Sequence, residues 1–125
     1  MGPASVSIVT VVRNDRQGFE RTLASVAEQD HPDLEYLVVD GASTDGTLDL
    51  IRARAGLISA WVSEPDHGVY DAMNKGLRMA RGEWILFLNA GDCLLDSGAV
   101  SAAMALAGAE VDAVFGDALY LLEGA

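Results

Sequence analysis

The residues best suited to chemistry stand where short apolar runs end. Arg13, Asn14 and Asp15 follow VSIVTVV, and Asp40 closes LEYLVVD just ahead of Ser43, Thr44 and Asp45. Glu64, Asp66 and His67 follow a weaker run, and Asn89 with Asp92 follows WILFL. If those runs are parallel strands, their carboxylates share one edge of a sheet. Like charges at one edge repel unless a cation or hydrogen-bond donors offset them. A hard divalent cation with oxygen ligands, shared with the phosphates of a bound molecule, would do so. Each acid also has a plainer reading as a helix cap or turn former, since Asp and Ser take those roles routinely. For any single residue both readings stand; recurrence at successive strand ends favours a ligand site.

The elements that must position these residues follow from periodicity. Val6 to Val12 is β-branched and almost uninterrupted, the pattern of a strand covered on both faces. A helix should follow, with Phe19, Leu23, Val26 and Ala27 inward, stopping near Asp30-His31-Pro32. Leu34 to Asp40 is a second strand. Thr44 or Asp45 is placed to cap the next helix, whose inner face is Leu48, Ile51 and Ala55. Leu57 to Val62 is a weaker strand. Over 69–81 the stripe Ala72, Met73, Leu77 and Ala80 predicts a helix ended by Gly82. Trp84 to Leu88 is the most apolar strand, followed by a helix over Ser97 to Ala107 and a last strand over Val111 to Leu122. This alternation predicts an α/β fold with a mostly parallel sheet, right-handed crossovers and flanking helices in one domain.

Composition narrows the function. The 125 residues allow one core, and a net charge of −11 without a basic run argues against nucleic acid as a partner. Cys93 is the single cysteine, so neither an internal disulfide nor a zinc cluster is expected, and a reducing, cytoplasmic setting is the simpler assumption. No apolar run approaches the roughly 20 residues of a membrane span. A soluble domain is expected, one that could still work peripherally at the inner face of a membrane.

In open α/β sheets, ligands sit beyond the carboxyl ends of the strands. A dinucleotide site would need G-x-G-x-x-G after the first strand, where this chain has Arg13-Asn14-Asp15-Arg16-Gln17-Gly18. A phospho-accepting receiver module would need paired acids after the first strand and a lysine after the last, and the last run ends without one.

The runs SIVTVVRND, LEYLVVDGASTDGT and SEPDHGVYDAMNKGLRMARGEWILFLNAGD, in this order and spacing, resemble the family 2 glycosyltransferases from about Ser5 to Asp117. The block EPDHGVYDAMNKG followed by NAGD is similar to a branch associated with cell-surface and exopolysaccharide synthesis. The resemblance implies the Rossmann-like, nucleotide-binding half of a glycosyltransferase A fold, and an inverting enzyme that takes a nucleotide-sugar donor and a glycan or lipid-linked acceptor. By position in the motifs it implies that Thr10, Val11 and Arg13 line the base pocket, that Asp40 contacts the base, and that Asp66 lies beside the nucleotide. It places Asp92 in the aspartate-rich metal motif, with Mg²⁺ or Mn²⁺ as cofactor. Two departures stand out: the metal loop reads Asn89-Ala90-Gly91-Asp92, with one carboxylate, and Gly41 stands where many relatives carry a second aspartate. The family's catalytic base belongs to the acceptor-binding half, beyond residue 125. Residues 1–125 are therefore expected to be a donor-binding domain that does not transfer sugar at an enzymatic rate alone, and that either is marginal in stability or self-associates through the face the second half would cover. The alternative is a nucleotide-binding module without transferase activity of its own.

The remaining polar residues have plainer expectations. His67 reads as a polar loop residue, and Asn74 and Lys75 as the outer side of a helix, with Lys75 either solvated or reaching a phosphate. Tyr70 and Asp71 occupy that helix's first turn, where an acid suits the dipole. Cys93, Trp61, Trp84 and Phe87 read as packing residues.

Overall fold

The computed structural model describes residues 5–114 and 116. Among these described residues four strands, β1 (Val6–Val12), β2 (Leu34–Asp40), β3 (Ala60–Ser63) and β4 (Trp84–Phe87), form one sheet in the order β3-β2-β1-β4. Every pairing is parallel: Val6 stands opposite Leu34 and Trp84, and Leu37 opposite Ala60. Four helices connect or follow them, α1 (Arg16–Ala27), α2 (Thr47–Ala53), α3 (Val69–Met79) and α4 (Ala99–Met104), with a 3₁₀ turn over Ala55–Leu57.

The sheet divides two cores, as the alternation of strand side chains requires. Ile8, Tyr36 and Val38 meet Phe19, Leu23 and Val26 of α1 and Leu50 and Ile51 of α2 on one face. Val9, Val11, Leu37 and Val39 meet Ala72 of α3 on the other. All seven residues of β1 are buried, which explains why its sequence is apolar without alternation. Ser7 and Thr10 are its polar exceptions, and both are bonded. Ser7 Oγ donates to Glu35 Oε1 at 2.6 Å, and Thr10 Oγ1 donates to the Leu88 carbonyl at 2.6 Å. α3 lies so close to the sheet that a Cβ on Gly76 would overlap Cγ1 of Val9, so this packing needs glycine.

Several boundaries differ from expectation. α2 starts at Thr47 and the chain turns into the 3₁₀ segment at Ala55, so Thr47, Leu50 and Ile51 face inward while Ala55 is exposed. Gly76 takes the sheet-facing place on α3, turning Leu77 outward to 50% exposure. That helix ends at Met79, with Ala80 already extended, three residues before Gly82. Gly82 instead donates its amide to Ser7 Oγ at 2.8 Å. The last helix shortens to Ala99–Met104. Residues 111–114 of the expected final strand are not strand, and the rest of that segment lies outside the described residues. Trp61 is on the edge strand β3 and 36% exposed, Cys93 is exposed, and Trp84 and Phe87 are half-buried. Among the described residues no helix is long and apolar enough to cross a membrane.

Candidate functional site

The strand order sets where a cleft must open. From β1 the chain steps outward through β2 to β3, then returns past β1 to β4. α1 and α2, on the outward steps, lie on one face of the sheet and α3, on the return step, on the other, so the direction of winding reverses at β1, the switch point where open α/β sheets bind ligands. A cleft of about 370 Å³ opens there. Val11, Val12, Arg13 and Asp15 come from the end of β1 and its loop, and Asn89 and Ala90 from the loop after β4. Asp66, Gly68, Val69 and Ala72 close it from the β3–α3 loop and α3.

Each wall is held by identifiable bonds. After β4 the chain stays beside β1, with the Leu88 and Ala90 amides donating to the carbonyls of Val9 and Val11 at 2.9 and 3.1 Å. The next turn is pinned by α1: the Gly91 amide donates to Thr22 Oγ1 at 2.9 Å and the Leu94 amide to Ser25 Oγ at 3.1 Å. Asp15 caps α1, its Oδ1 accepting from the Gly18 amide at 3.0 Å.

The loops after β1 and β2 are stitched together. The Asn14 amide donates to Ser43 Oγ at 2.8 Å, and Asn14 Oδ1 accepts from the Thr44 amide at 2.7 Å. Asp45 accepts from the Arg16 amide at 2.9 Å and from the Thr47 hydroxyl at 2.6 Å. Asp45 thus joins the starts of α1 and α2, although the cap position of α2 is Gly46. Chiefly through that Thr47 hydroxyl, its carboxyl is held below the usual aspartate range. Asn14 and Ala42 take left-handed backbone angles, φ 50° and 58°. Such angles are costly for a side chain such as alanine's and persist where surrounding bonds over-determine them.

The residues singled out by the sequence fall into three groups. Val11, Arg13 and Asp66 line the cleft. Thr10 and Asp40 are fully buried and stand outside its lining. The Thr10 hydroxyl is engaged inside the sheet, and the Tyr36 hydroxyl donates to it at 2.7 Å. Burial pushes that phenol above its ordinary pKa. Asp40 accepts from the Ser43 hydroxyl at 2.5 Å, the Ser43 amide at 3.1 Å and the Ser63 hydroxyl at 2.7 Å. Asp92 is exposed on the turn after Ala90, its amide donating to the Asn89 carbonyl at 2.9 Å.

Asn89 adds what residue type alone did not show. Its side-chain oxygen is buried without a hydrogen-bond partner, the only such side-chain atom among the described residues. A buried unpaired acceptor costs on the order of 1–3 kcal/mol, so an oxygen left this way beside a cleft suits a bound group. Thr22 is not among the residues the sequence singles out, and the signal for it is a polar residue beside Leu23 on the buried stripe of α1; Asp15 stands out as an acid at a strand end. Among the described residues no three His, Cys, Asp or Glu side chains gather in one cluster. Lys75 differs from expectation. Its side chain is only 15% exposed and pairs with Glu64 at 3.1 Å and Asp71 at 3.9 Å. The Asp71 carboxyl is lowered in pKa, first by the His67 amide and then by Lys75 and other nearby positive charge. His67 is an exposed loop residue.

The parallel four-stranded sheet with flanking helices is the glycosyltransferase A fold. The chain matches the family described as Glycosyl transferase family 2 over residues 7–120, and it belongs to that family. It is 36% identical over 124 residues to a PGL/p-HBAD biosynthesis glycosyltransferase of Mycobacterium tuberculosis, covering 95% of this chain and 48% of that protein. It thus spans about half the length of the curated relatives it matches. Among solved structures it is similar to the mannosyltransferase PcManGT from Pyrobaculum calidifontis, in complex with GDP-Man and Mn²⁺. The TM-score is 0.74 at 31% identity, covering 82% of this chain and 32% of that one. It is also similar to S. aureus TarS in complex with UDP-GlcNAc, with TM-score 0.73 and 26% identity over 81% of this chain and 30% of that one.

Proposed function

We propose that the cleft between the carboxyl ends of β1 and β4 binds a nucleotide-sugar, and that this chain is the donor-binding part of an inverting glycosyltransferase. The observation that carries this reading is the lining itself. It brings the Arg13 cation and the apolar wall of Val11 and Val12 to the switch point, with Asp66 and Asn89, whose buried side-chain oxygen has no partner. A nucleotide needs an apolar wall for its base, directional acceptors for its polar edge and positive charge for its diphosphate. In this assignment Val11, Arg13 and Asp66 contact the nucleotide. Thr10 and Asp40 act from behind the wall: Thr10 holds the Leu88 carbonyl, and Asp40 holds the loop of Ser43.

The oxygen donors after β4 fit a divalent ion of the Mg²⁺ or Mn²⁺ kind. Such ions are held by one or two carboxylates together with substrate phosphates. Asp92 would provide the carboxylate and Asn89 an amide oxygen. When bound, the ion would stabilise negative charge on the departing diphosphate. The chain's own residues supply the rest: Arg13 adds positive charge for the diphosphate, and the bonds from Thr22 and Ser25 hold the turn of Asn89 and Asp92 in place. The general base that deprotonates the acceptor is assigned to the part of the relatives that this chain does not span. The acceptor is assigned to the glycans and lipid-linked glycans of cell-surface synthesis, the branch that EPDHGVYDAMNKG followed by NAGD resembles. Any association with a membrane-borne acceptor would be peripheral.

The test is a calorimetric panel of UDP-, GDP- and dTDP-sugars against the purified chain, with and without Mg²⁺ or Mn²⁺. Saturable binding of one nucleotide class, strengthened by the ion and lost in Arg13→Ala, is expected. Binding of none, or binding indifferent to Arg13→Ala, would contradict the reading.

A further inference from the structure

The segment from Glu64 to Gly68 carries Asp66 into the cleft, yet little of its own backbone holds it there. The Glu64 amide donates to the Asp40 carbonyl at 3.0 Å, which fixes the point where the segment leaves β3. Pro65 has no amide proton to contribute. Beyond it, the Gly68 carbonyl accepts from the Ala72 amide at 3.1 Å where the helix begins, and two side chains one turn apart on α3 tether the residues between. Lys75 Nζ donates to the Pro65 carbonyl at 3.0 Å and pairs with Glu64 Oε1 at 3.1 Å. Asp71 Oδ2 accepts from the His67 amide at 2.9 Å and stands 3.9 Å from Lys75 Nζ. The residues on both sides of Asp66 are thereby tied to α3. Asp66 itself accepts from the Gly68 amide through Oδ1 at 3.1 Å.

An ordinary surface ion pair contributes little, because water screens it and both chains stay mobile. Lys75 is a different case. Its side chain is 15% exposed while that of Glu64 is 53% exposed, so the lysine is the covered, ordered partner. One of its bonds ends on a backbone carbonyl, whose position is the loop's own conformation. Charge-assisted bonds of this kind are the stronger class.

We propose that Lys75 is a positioning residue for the donor cleft, holding the Glu64–Gly68 segment on α3 so that the Asp66 carboxylate faces the bound nucleotide. The proposal rests on the donor-binding reading above for its ligand, but its structural half can be tested without one.

The experiment compares the chain with Lys75→Met and Lys75→Arg. Amide hydrogen exchange is followed by NMR, and UDP and GDP are titrated by calorimetry, alone and in an Asp66→Ala background. Exchange at His67 and Gly68 should rise on the order of tenfold in Lys75→Met, while amides of β1 and β2 keep their protection. Lys75→Arg should stay within about threefold, since a guanidinium offers the same two acceptors several donors. Nucleotide affinity should fall on the order of tenfold in Lys75→Met and no further when Asp66→Ala is already present, because the two residues then act as one unit. Unchanged exchange at His67 and Gly68 in Lys75→Met would overturn the proposal, and so would losses that simply multiply in the double variant. If the parent chain binds neither nucleotide, the donor-binding reading fails, and the exchange measurement still decides the role of Lys75.

Discussion

Ser63 Oγ donates to Asp40 Oδ2 at 2.7 Å, joining the carboxyl ends of two neighbouring parallel strands through a fully buried carboxylate. The same carboxylate receives the hydroxyl and amide of Ser43. Asp40→Ala therefore removes three bonds at once and strands two hydroxyls. Stability should fall by about 1–3 kcal/mol, the usual cost of buried groups left unsatisfied, as measured by urea unfolding. Because the loop of Ser43 also braces Asn14, nucleotide affinity should weaken to the same degree with and without metal. Ser63→Ala should cost less, since Ser43 still occupies the carboxylate.

Gly41 separates stability from function. A Cβ at this position would come within 2.6 Å of Asp66 Oδ2 and 3.5 Å of the Cβ of Arg13. The close neighbour is the tip of a side chain, so Gly41→Ala should be absorbed by rotating Asp66 rather than by moving backbone. The melting temperature should change by no more than about 2 °C, a surface-scale effect. Nucleotide binding should nonetheless weaken several-fold, because the carboxylate is turned from the cleft. Parallel melting curves and titrations check this.

Asp92→Ala should abolish mainly the metal-dependent part of nucleotide affinity, since an exposed carboxylate on the turn after Ala90 contributes little to folding. Asn89→Ala is the informative partner. By removing an unpaired buried oxygen it should leave stability level or raise it, while lowering affinity in the presence of Mg²⁺ or Mn²⁺. Titrations with and without the ion distinguish the two effects. Identical metal dependence in Asp92→Ala and the parent would remove Asp92 from the ion's site.

Acid should loosen the loops before the sheet. The Asp45 carboxyl is depressed when folded, so its contribution is complete above the ordinary aspartate pKa of about 3.9 and is lost as pH falls through the lower folded value. Asp71, in the first turn of α3 and bonded to the His67 amide of the β3–α3 loop, follows the same sign. Melting temperature measured between pH 6 and pH 3, ordinary working limits for such a scan, should therefore drop on the acid side. Asp45→Asn should flatten that drop, because it titrates in neither state.

Much of this architecture was legible because burial on both faces leaves a strong mark. The runs of β1 and β2 are apolar for the reason that helices cover both sides of the sheet there, whereas β4 is as apolar although its four residues are half-buried; the acids after these runs mark the edge where loops begin. Helix faces were less legible where backbone packing overrode hydropathy. Gly76 sits against Val9, which turns Leu77 outward, and nothing in residue type announces so close an approach. The site was legible as a set of positions but not as a set of roles. Asp40 and Asp66 are both aspartates after strand ends, yet one is buried under two serines and the other faces the cleft. That difference comes from Ser63 and Gly41, neighbours across the sheet edge. Lys75 was hidden for a related reason: its partners at Glu64 and Pro65 precede the helix, and only the fold of the loop brings them to it.

Whether a nucleotide-sugar occupies the cleft at the switch point is decided by amide chemical-shift mapping of the labelled chain. UDP-GlcNAc and GDP-mannose would each be titrated in the presence of Mg²⁺. Nucleotide-sugar binding in the cleft gives saturable shifts for one of them, concentrated at Val11 to Arg13, at Asp66 to Val69 and at Asn89 to Ala90, with Lys75 following the second group. Shifts confined to the far side of the sheet, around α1, α2 and Leu57, or no saturable shifts with either donor, would contradict it.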